Sequence, residues 1–256
     1  TASDSAAGMS RQSFAYASQK LEARVDLAEI DEAFARARDM AGLSDAEKAS
    51  IEGERGFRRM AFTGKVASIK GLMLDTYTYD ARHMRTEETR NAFRHNLVWA
   101  MNRGGSLNFL TEGNSTRDGG RVRDGRSHNL LSMDQQLAGG MKISAFRDVV
   151  ATVAAGASQP TVVTDYLNFQ TDRSRPNNLL AEMKRVRIGD DRFENTTQLD
   201  LNYRASRTLG LRFNKLSVDR GNEPSSDTNA LFWNWQMHRG LSFSGSYAAT
   251  DTNNGQ

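Results

Sequence analysis

Histidine and cysteine side chains are the first groups to examine for metal or nucleophilic chemistry. The four histidines, His83, His95, His128 and His238, lie far apart in polar segments, and none pairs with another at the short spacing typical of metal ligands. The sequence contains no cysteine, which excludes thiol catalysis, disulfides and zinc fingers within it. We therefore predict no metal site and no cofactor.

Acidic residues and glycines give no catalytic motif. One acidic cluster, formed by Asp26, Glu29, Asp31 and Glu32, could supply paired carboxylates, but we attribute it to favourable interaction with the dipole of the predicted helix. The Gly-Gly pairs precede strand-like segments rather than the helix that a phosphate loop needs, and no Gly-x-Ser-x-Gly elbow is present. We therefore expect a protein that is not an enzyme.

Arginines are candidates for contacts with an anionic partner. Three of them recur at hairpin turns, Arg103, Arg207 and Arg239, and three cluster in a long polar stretch, Arg121, Arg123 and Arg126. Guanidinium groups can bind lipid phosphates, lipopolysaccharide or an acidic glycan through two parallel hydrogen bonds. The alternative is that turns simply need soluble residues. Nucleic acid is not an expected partner, because aromatic and charged residues alternate and so occupy opposite faces.

Helical periodicity is confined to a segment near the start of the sequence. Leu27, Ile30 and Phe34 have the spacing of one helix face, and Ser44 with Glu47 forms a capping box that begins a second, shorter helix. We predict a flexible segment over residues 1–25 and a helical hairpin over 26–55. Residues 56–256 are predicted to form an antiparallel β-hairpin domain that belongs to a longer chain.

After Gly56 the apolar period changes from 3.6 to 2. Leu199, Leu201 and Tyr203 alternate with polar residues, and after a turn at 206–208 the alternation resumes at Leu209. Similar hairpins follow or precede it, and the first apolar residue after each turn is 72, 107, 141, 209 or 241, giving intervals of 35, 34, 68 and 32. The pattern predicts a hairpin repeat of about 34 residues with one divergent copy near 167–172.

Long polar connections separate the predicted hairpins. Residues 112–126, 171–178 and 219–229 are rich in Asn, Asp, Gly, Ser, Thr and Arg. We expect short turns at one end of the sheet and long loops at the other. The fold class is therefore mainly β: an antiparallel up-and-down hairpin meander, as a barrel or a large curved sheet, with a short α-helical N-terminal segment.

This architecture resembles the bacterial outer-membrane β-barrel class over residues 56–247. The resemblance implies a structural or pore-forming protein of the outer membrane or cell envelope, in contact with lipid bilayer or lipopolysaccharide and with other envelope proteins. The alternative is a soluble periplasmic or extracellular β-repeat that serves as a scaffold or binding module. The predicted lipid-facing or core residues are Trp99, Leu107, Phe109, Leu199, Leu201, Tyr203, Leu209, Leu211, Phe213, Trp233, Trp235, Leu241 and Phe243.

Overall fold

A computed structural model of the protein describes residues 8–32, 34, 42–172, 174–190, 192–221, 223–238 and 241–253. One helix is found in this part of the chain, α1 (Asp45–Glu54). The strands are β1 (Met9–Ala17), β2 (Leu21–Ile30), β3 (Phe57–Ile69), β4 (Leu72–His83), β5 (Thr89–Met101), β6 (Gly105–Asp118), β7 (Arg121–Gln136), β8 (Lys142–Ala154), β9 (Ala157–Ser158), β10 (Val162–Gln170), β11 (Asn178–Ile188), β12 (Arg192–Arg204), β13 (Leu209–Arg220), β14 (Glu223–His238) and β15 (Leu241–Asn253).

Consecutive strands pair in an antiparallel meander, as the alternating pattern predicts. The order along the sheet is β1 to β8 and then β10 to β15, while the two-residue β9 pairs with β8 beside this path. Within the described residues the path ends at β1 and β15, which do not pair with each other. The prediction of an up-and-down hairpin meander is confirmed, and the sheet is not closed.

The chain divides into two compact units. Unit 1 comprises residues 1–98, 110–128 and 151–159, and unit 2 comprises 99–109, 129–150 and 160–256. The boundary falls within some long strands: residues 105–109 of β6 belong to unit 2 and residues 110–118 to unit 1.

Unit 1 contains a small apolar core beneath α1. Ile51 of the helix and Ile30 of β2 are fully buried against each other. Ala28, Phe57 and Ala81 are also buried; cross-strand register and period-2 alternation put all three on the same face of the sheet as Ile30. Phe34 and Leu43 pack against the Ile30–Ile51 pair, which holds the helix on β2.

The predicted capping box at the start of α1 is present. The Ser44 hydroxyl accepts a hydrogen bond from the Glu47 backbone N–H, and the Glu47 carboxylate accepts one from the Ser44 backbone N–H. Hydrogen bonding to the Ser44 side chain and backbone lowers the pKa of the Glu47 carboxyl. At the other end of α1, Glu54 forms an ion pair with Arg59 of β3, and both side chains are largely buried.

The predicted helix over 26–40 is wrong where the structure describes it. Residues 26–30 belong to β2, and Met9–Ala17, predicted to be flexible, forms β1. Val25 and Leu27 lie on one face, and Ala28 and Ile30 lie on the other, so the strand also satisfies the apolar spacing that suggests a helix. Pairing of β2 with both β1 and β3 overrides the local signal. Residues 33 and 35–41 lie outside the described part, and α1 follows two strands instead of beginning the fold.

Two of the three predicted long loops are also wrong. Most of residues 112–126 and 219–229 lie in strands, joined by tight turns at Gly119–Gly120 and after Arg220. Gly119, Gly120 and Gly221 have positive φ, which allows the chain to reverse in a few residues. The strands are polar on both faces near these turns, so the apolar alternation that marks a strand disappears there. The third connection, 171–177, is a loop as predicted.

Replacement of Ile51 by alanine tests the packing of α1. We expect Ile51→Ala to lower the free energy of unfolding by about 2 to 5 kcal/mol, because it leaves a cavity under the helix. Ile188 is exposed, so Ile188→Ala is a matched control expected to cost about 1 kcal/mol or less. Denaturant unfolding of the purified variants measures both, and equal losses would contradict this packing.

Candidate lipid-facing surface

Cross-strand register in unit 2 aligns large apolar side chains on one side of the sheet. Leu201 lies opposite Phe213, Phe213 opposite Leu231, and Leu231 opposite Tyr247. Directly opposed residues of antiparallel strands share a face. We call this side of unit 2 the apolar face; on β12 to β15 it carries Leu199, Leu201, Tyr203, Leu209, Leu211, Phe213, Leu231, Trp233, Trp235, Phe243 and Tyr247.

The apolar face contains the predicted lipid-facing residues of β12 to β15. Leu241 lies two residues before Phe243 on β15 and so projects to the same side. Trp99 lies on β5 and Phe109 on β6, and both side chains are exposed. Leu107 of β6 lines a groove together with Leu167 of β10.

Large side chains of the apolar face are exposed in this structure. The exposed fractions are 44% for Trp235, 52% for Phe243 and 63% for Tyr247. Isolated exposed apolar residues are normal on proteins, but a contiguous set of this kind marks a surface that contacts another phase or another molecule.

The opposite side of unit 2, which we call the polar face, carries partly buried polar side chains on β10 to β13, whereas on β15 it is exposed. Asn168 is only 7% exposed, and Glu182 lies opposite it on the next strand. The Glu182 carboxylate accepts hydrogen bonds from the Tyr166 hydroxyl at 2.9 Å and from the Asn168 amide at 3.5 Å. A carboxylate in this position is stabilised by donors rather than by bulk water.

Further polar pairs extend this network across neighbouring strands. Gln198 donates a hydrogen bond of 3.1 Å to Asp200, and the Asn202 amide donates one of 2.9 Å to Asn178. The buried side-chain oxygen of Asn214 has no hydrogen-bond partner within the described residues. On β10 to β13 several polar groups are therefore partly shielded on this face while large apolar groups are exposed on the other, although Leu216 and Phe232 are also exposed on the polar face.

Charged residues limit the extent of the apolar face along the strands. On β11 Met183 is followed two residues later by Arg185, and on β13 Phe213 is followed by Lys215. On β10 Asp165 precedes Leu167 by the same spacing. Three apolar side chains at this spacing span about 13 Å along a strand.

A groove of about 910 Å³ crosses the apolar face of unit 2 at this boundary. Its apolar lining includes Leu107, Leu131, Met133, Leu167 and Met183. Its charged lining includes Arg147, Asp165 and Arg185. The groove therefore has an apolar part and a charged part side by side.

The predicted anion-binding arginines do not form one site. Arg121, Arg123 and Arg126 lie on β7 instead of in a loop, and strand alternation directs Arg126 to the opposite side from the other two. Arg123 also pairs with Asp124 at 3.0 Å. Arg207 is exposed in the turn between β12 and β13. Arg103 lies in the turn after β5, and Arg239 lies outside the described residues.

The histidines are dispersed in the structure as they are in the sequence. His83 packs edge-on against Phe57, and His128 is 3.0 Å from Glu112. Across the described residues there is no group of three or more His, Asp or Glu side chains that could hold a metal ion.

No protein-family model and no curated protein matches this chain. In the described part of the chain, no helix has both the length and the apolar character needed to cross a bilayer.

Sequence reasoning missed the groove residues on β8, β10 and β11. The divergent hairpin copy is β10–β11, joined by the loop 171–177. Its strands carry Asp165, Arg185 and Arg187 among their apolar residues, so neither strand shows a clean alternation. The strand β10 could have been recognised from Asp165, Leu167 and Phe169, which are two residues apart and so lie on one face.

Gly245 gives a test of the register on the apolar face. It lies opposite Trp233, whose ring occupies the space that a Cβ atom at position 245 would need. We expect Gly245→Val to displace the ring and to cost about 1 to 3 kcal/mol through overpacking. Ala248→Val, which lies opposite Ala230 on the other face, is the control.

Tryptophan fluorescence measures the displacement of the Trp233 ring. The measurement uses a W99F/W235F background, in which Trp233 is the only tryptophan. A shifted emission maximum in Gly245→Val and an unchanged one in Ala248→Val are expected. An unchanged spectrum in Gly245→Val would show that the β14–β15 register is different.

Proposed function

We propose that this chain is a non-enzymatic cell-envelope protein whose strands form the wall of an outer-membrane β-barrel with a structural or pore-forming role. The observation that carries the proposal is the arrangement on β10 to β13, where exposed leucine, methionine and tyrosine side chains lie on one face and partly buried, hydrogen-bonded polar groups lie on the other. A bilayer would cover the first face, and the second would face the interior.

Strand length and number also support the proposal. The strands of unit 2 that define the apolar face contain 12 to 16 residues, and a tilted spanning strand needs about 9 to 11. The pairing path contains an even number of long strands, as bacterial up-and-down barrels do. The barrel also requires that the free edges β1 and β15 of the described sheet become paired, because unpaired edges would leave backbone groups without partners in hydrocarbon.

Three of the six aromatic residues of the apolar face lie where a membrane interface is expected. Tyr203, Trp235 and Phe243 lie close to the ends of their strands, near the turn after β12 and near the connection of β14 to β15. Aromatic side chains of this kind accumulate where hydrocarbon meets headgroups. At the other boundary the apolar face is limited by charged side chains, including Arg185 and Lys215.

The short height of the apolar face favours a second candidate function. About 13 Å of apolar residues per strand is less than the band of about 25 Å usual for outer-membrane barrels. A soluble periplasmic or extracellular β-repeat would cover the same face with another envelope protein and act as a scaffold or binding module. An exposed apolar patch of this kind is also typical of protein interfaces.

Detergent dependence separates the two candidates. We expect the folded protein to remain dispersed only in micelles or vesicles, and to migrate differently on gels before and after boiling, because a closed barrel resists dodecyl sulfate until heated. Light scattering and gel mobility measure these properties. A protein that is monodisperse without detergent would rule out the barrel.

A charge at Leu211 tests whether the apolar face meets lipid. Leu211→Arg is expected to cost about 2 to 4 kcal/mol of folding free energy in vesicles if this position lies near the bilayer midplane. Asn234→Arg is the matched control, since Asn234 is exposed on the other face opposite Gly210, which leaves room for the longer side chain. Equal costs for the two variants would contradict lipid contact at Leu211.

A further inference from the structure

The charged part of the groove is lined by Arg147, Arg185, Asp165 and Asp219, and Arg187 beside it pairs with Asp165, so three guanidinium groups lie near two carboxylates. Asp165 lies opposite Arg147 on one neighbouring strand and opposite Arg185 on the other. Arg147 and Arg187 both form ion pairs with Asp165, at 3.6 and 3.5 Å. One carboxylate is therefore shared by two guanidiniums and has a third as its neighbour.

Arg185 is the least neutralised of these cations. No carboxylate within the described residues lies within 4.0 Å of it, and its guanidinium is 5.6 Å from the centre of the Phe193 ring. Its side chain is exposed and lines the groove. A guanidinium in this state can still donate two parallel hydrogen bonds to an anion.

The apolar part of the groove fits a flexible hydrocarbon chain. It is lined by Leu131, Met133, Leu167 and Met183. Met133 is the least exposed of these four side chains, and the other three are about half exposed. Methionine is unbranched and flexible, so it adapts to irregular partners more readily than β-branched or aromatic side chains do. These residues continue the apolar face. Arg185 lies two residues after Met183 on β11 and therefore on the same side of the sheet.

We infer that this groove binds one phospholipid with an anionic headgroup, its acyl chain along Leu167 and Met183 and its phosphate at Arg147 and Arg185. The inference rests on the proposed function, because it places the groove at the boundary between hydrocarbon and headgroups. Charge complementarity selects the occupant: the excess of guanidinium over carboxylate favours an anionic lipid over a zwitterionic one.

Native mass spectrometry in a neutral detergent tests the inference with two lipids of identical acyl chains, phosphatidylglycerol and phosphatidylcholine. The wild-type protein should retain one phosphatidylglycerol in preference to phosphatidylcholine. The double variant Arg147→Gln/Arg185→Gln should lose this preference by about tenfold or more, since each guanidinium–phosphate hydrogen bond contributes to the difference.

The charge-matched control is Arg121→Gln/Arg123→Gln, which removes two exposed arginines of β7 outside the groove. This control should keep the wild-type preference. A loss of preference in the control but not in the groove variant, or no headgroup preference in the wild type, would overturn the inference.

The outcome is separable from that of the proposed function. A protein that folds only in detergent but shows no headgroup preference would contradict the groove and leave the barrel intact. A protein that is soluble without detergent and still binds phosphatidylglycerol through Arg147 and Arg185 would contradict the barrel and support the groove.

Discussion

Cross-strand register is the constraint on which the surfaces of this protein depend. In an antiparallel pair each residue has one direct partner, and a slip of one residue would exchange the two faces of the strand. The pairs Leu211–Trp233 and Trp233–Gly245 join three strands through one aromatic ring that needs a glycine beside it. The same register puts Asn168 beside Glu182 on the opposite face. Hydrogen bonding and aromatic packing thus select one alignment together.

The two faces of unit 2 have opposite energetic requirements. Asn168 is almost fully shielded from water and donates a hydrogen bond to the partly buried Glu182 carboxylate, whereas Trp235 and Tyr247 are exposed. A sheet that stabilises its polar groups internally can present its apolar groups outward without losing its own structure. In unit 1 the arrangement differs, because α1 covers the sheet and buries Ile51 against Ile30.

Sequence patterns predicted the parts of the fold in which one face is consistently apolar. The hairpins around Leu209 and Leu241 were recognisable because apolar and polar residues alternate without interruption. The hairpin β10–β11 was not, because Asp165 and Arg185 occupy the same face as Leu167. β2 was mistaken for a helix because its burial is decided by partners from β1, β3 and α1, which no local window contains. The groove is lined in part by β10 and β11, so it could be found only from the register.

The position of the charged residues bears on the short height of the apolar face. Arg185 and Lys215 have long aliphatic stems, which can lie along hydrocarbon while their charged ends reach the headgroup level. Bilayers also thin locally around a short apolar belt at a modest free-energy cost per ångström. With both effects, an apolar belt of three residues per strand can match a thicker hydrocarbon layer. Both effects require the cations to lie at the margin of the belt. The cations Arg147 and Arg185 have that position, in a row that also contains Asp165 and Asp219, so a short apolar belt with a charged edge is compatible with lipid contact.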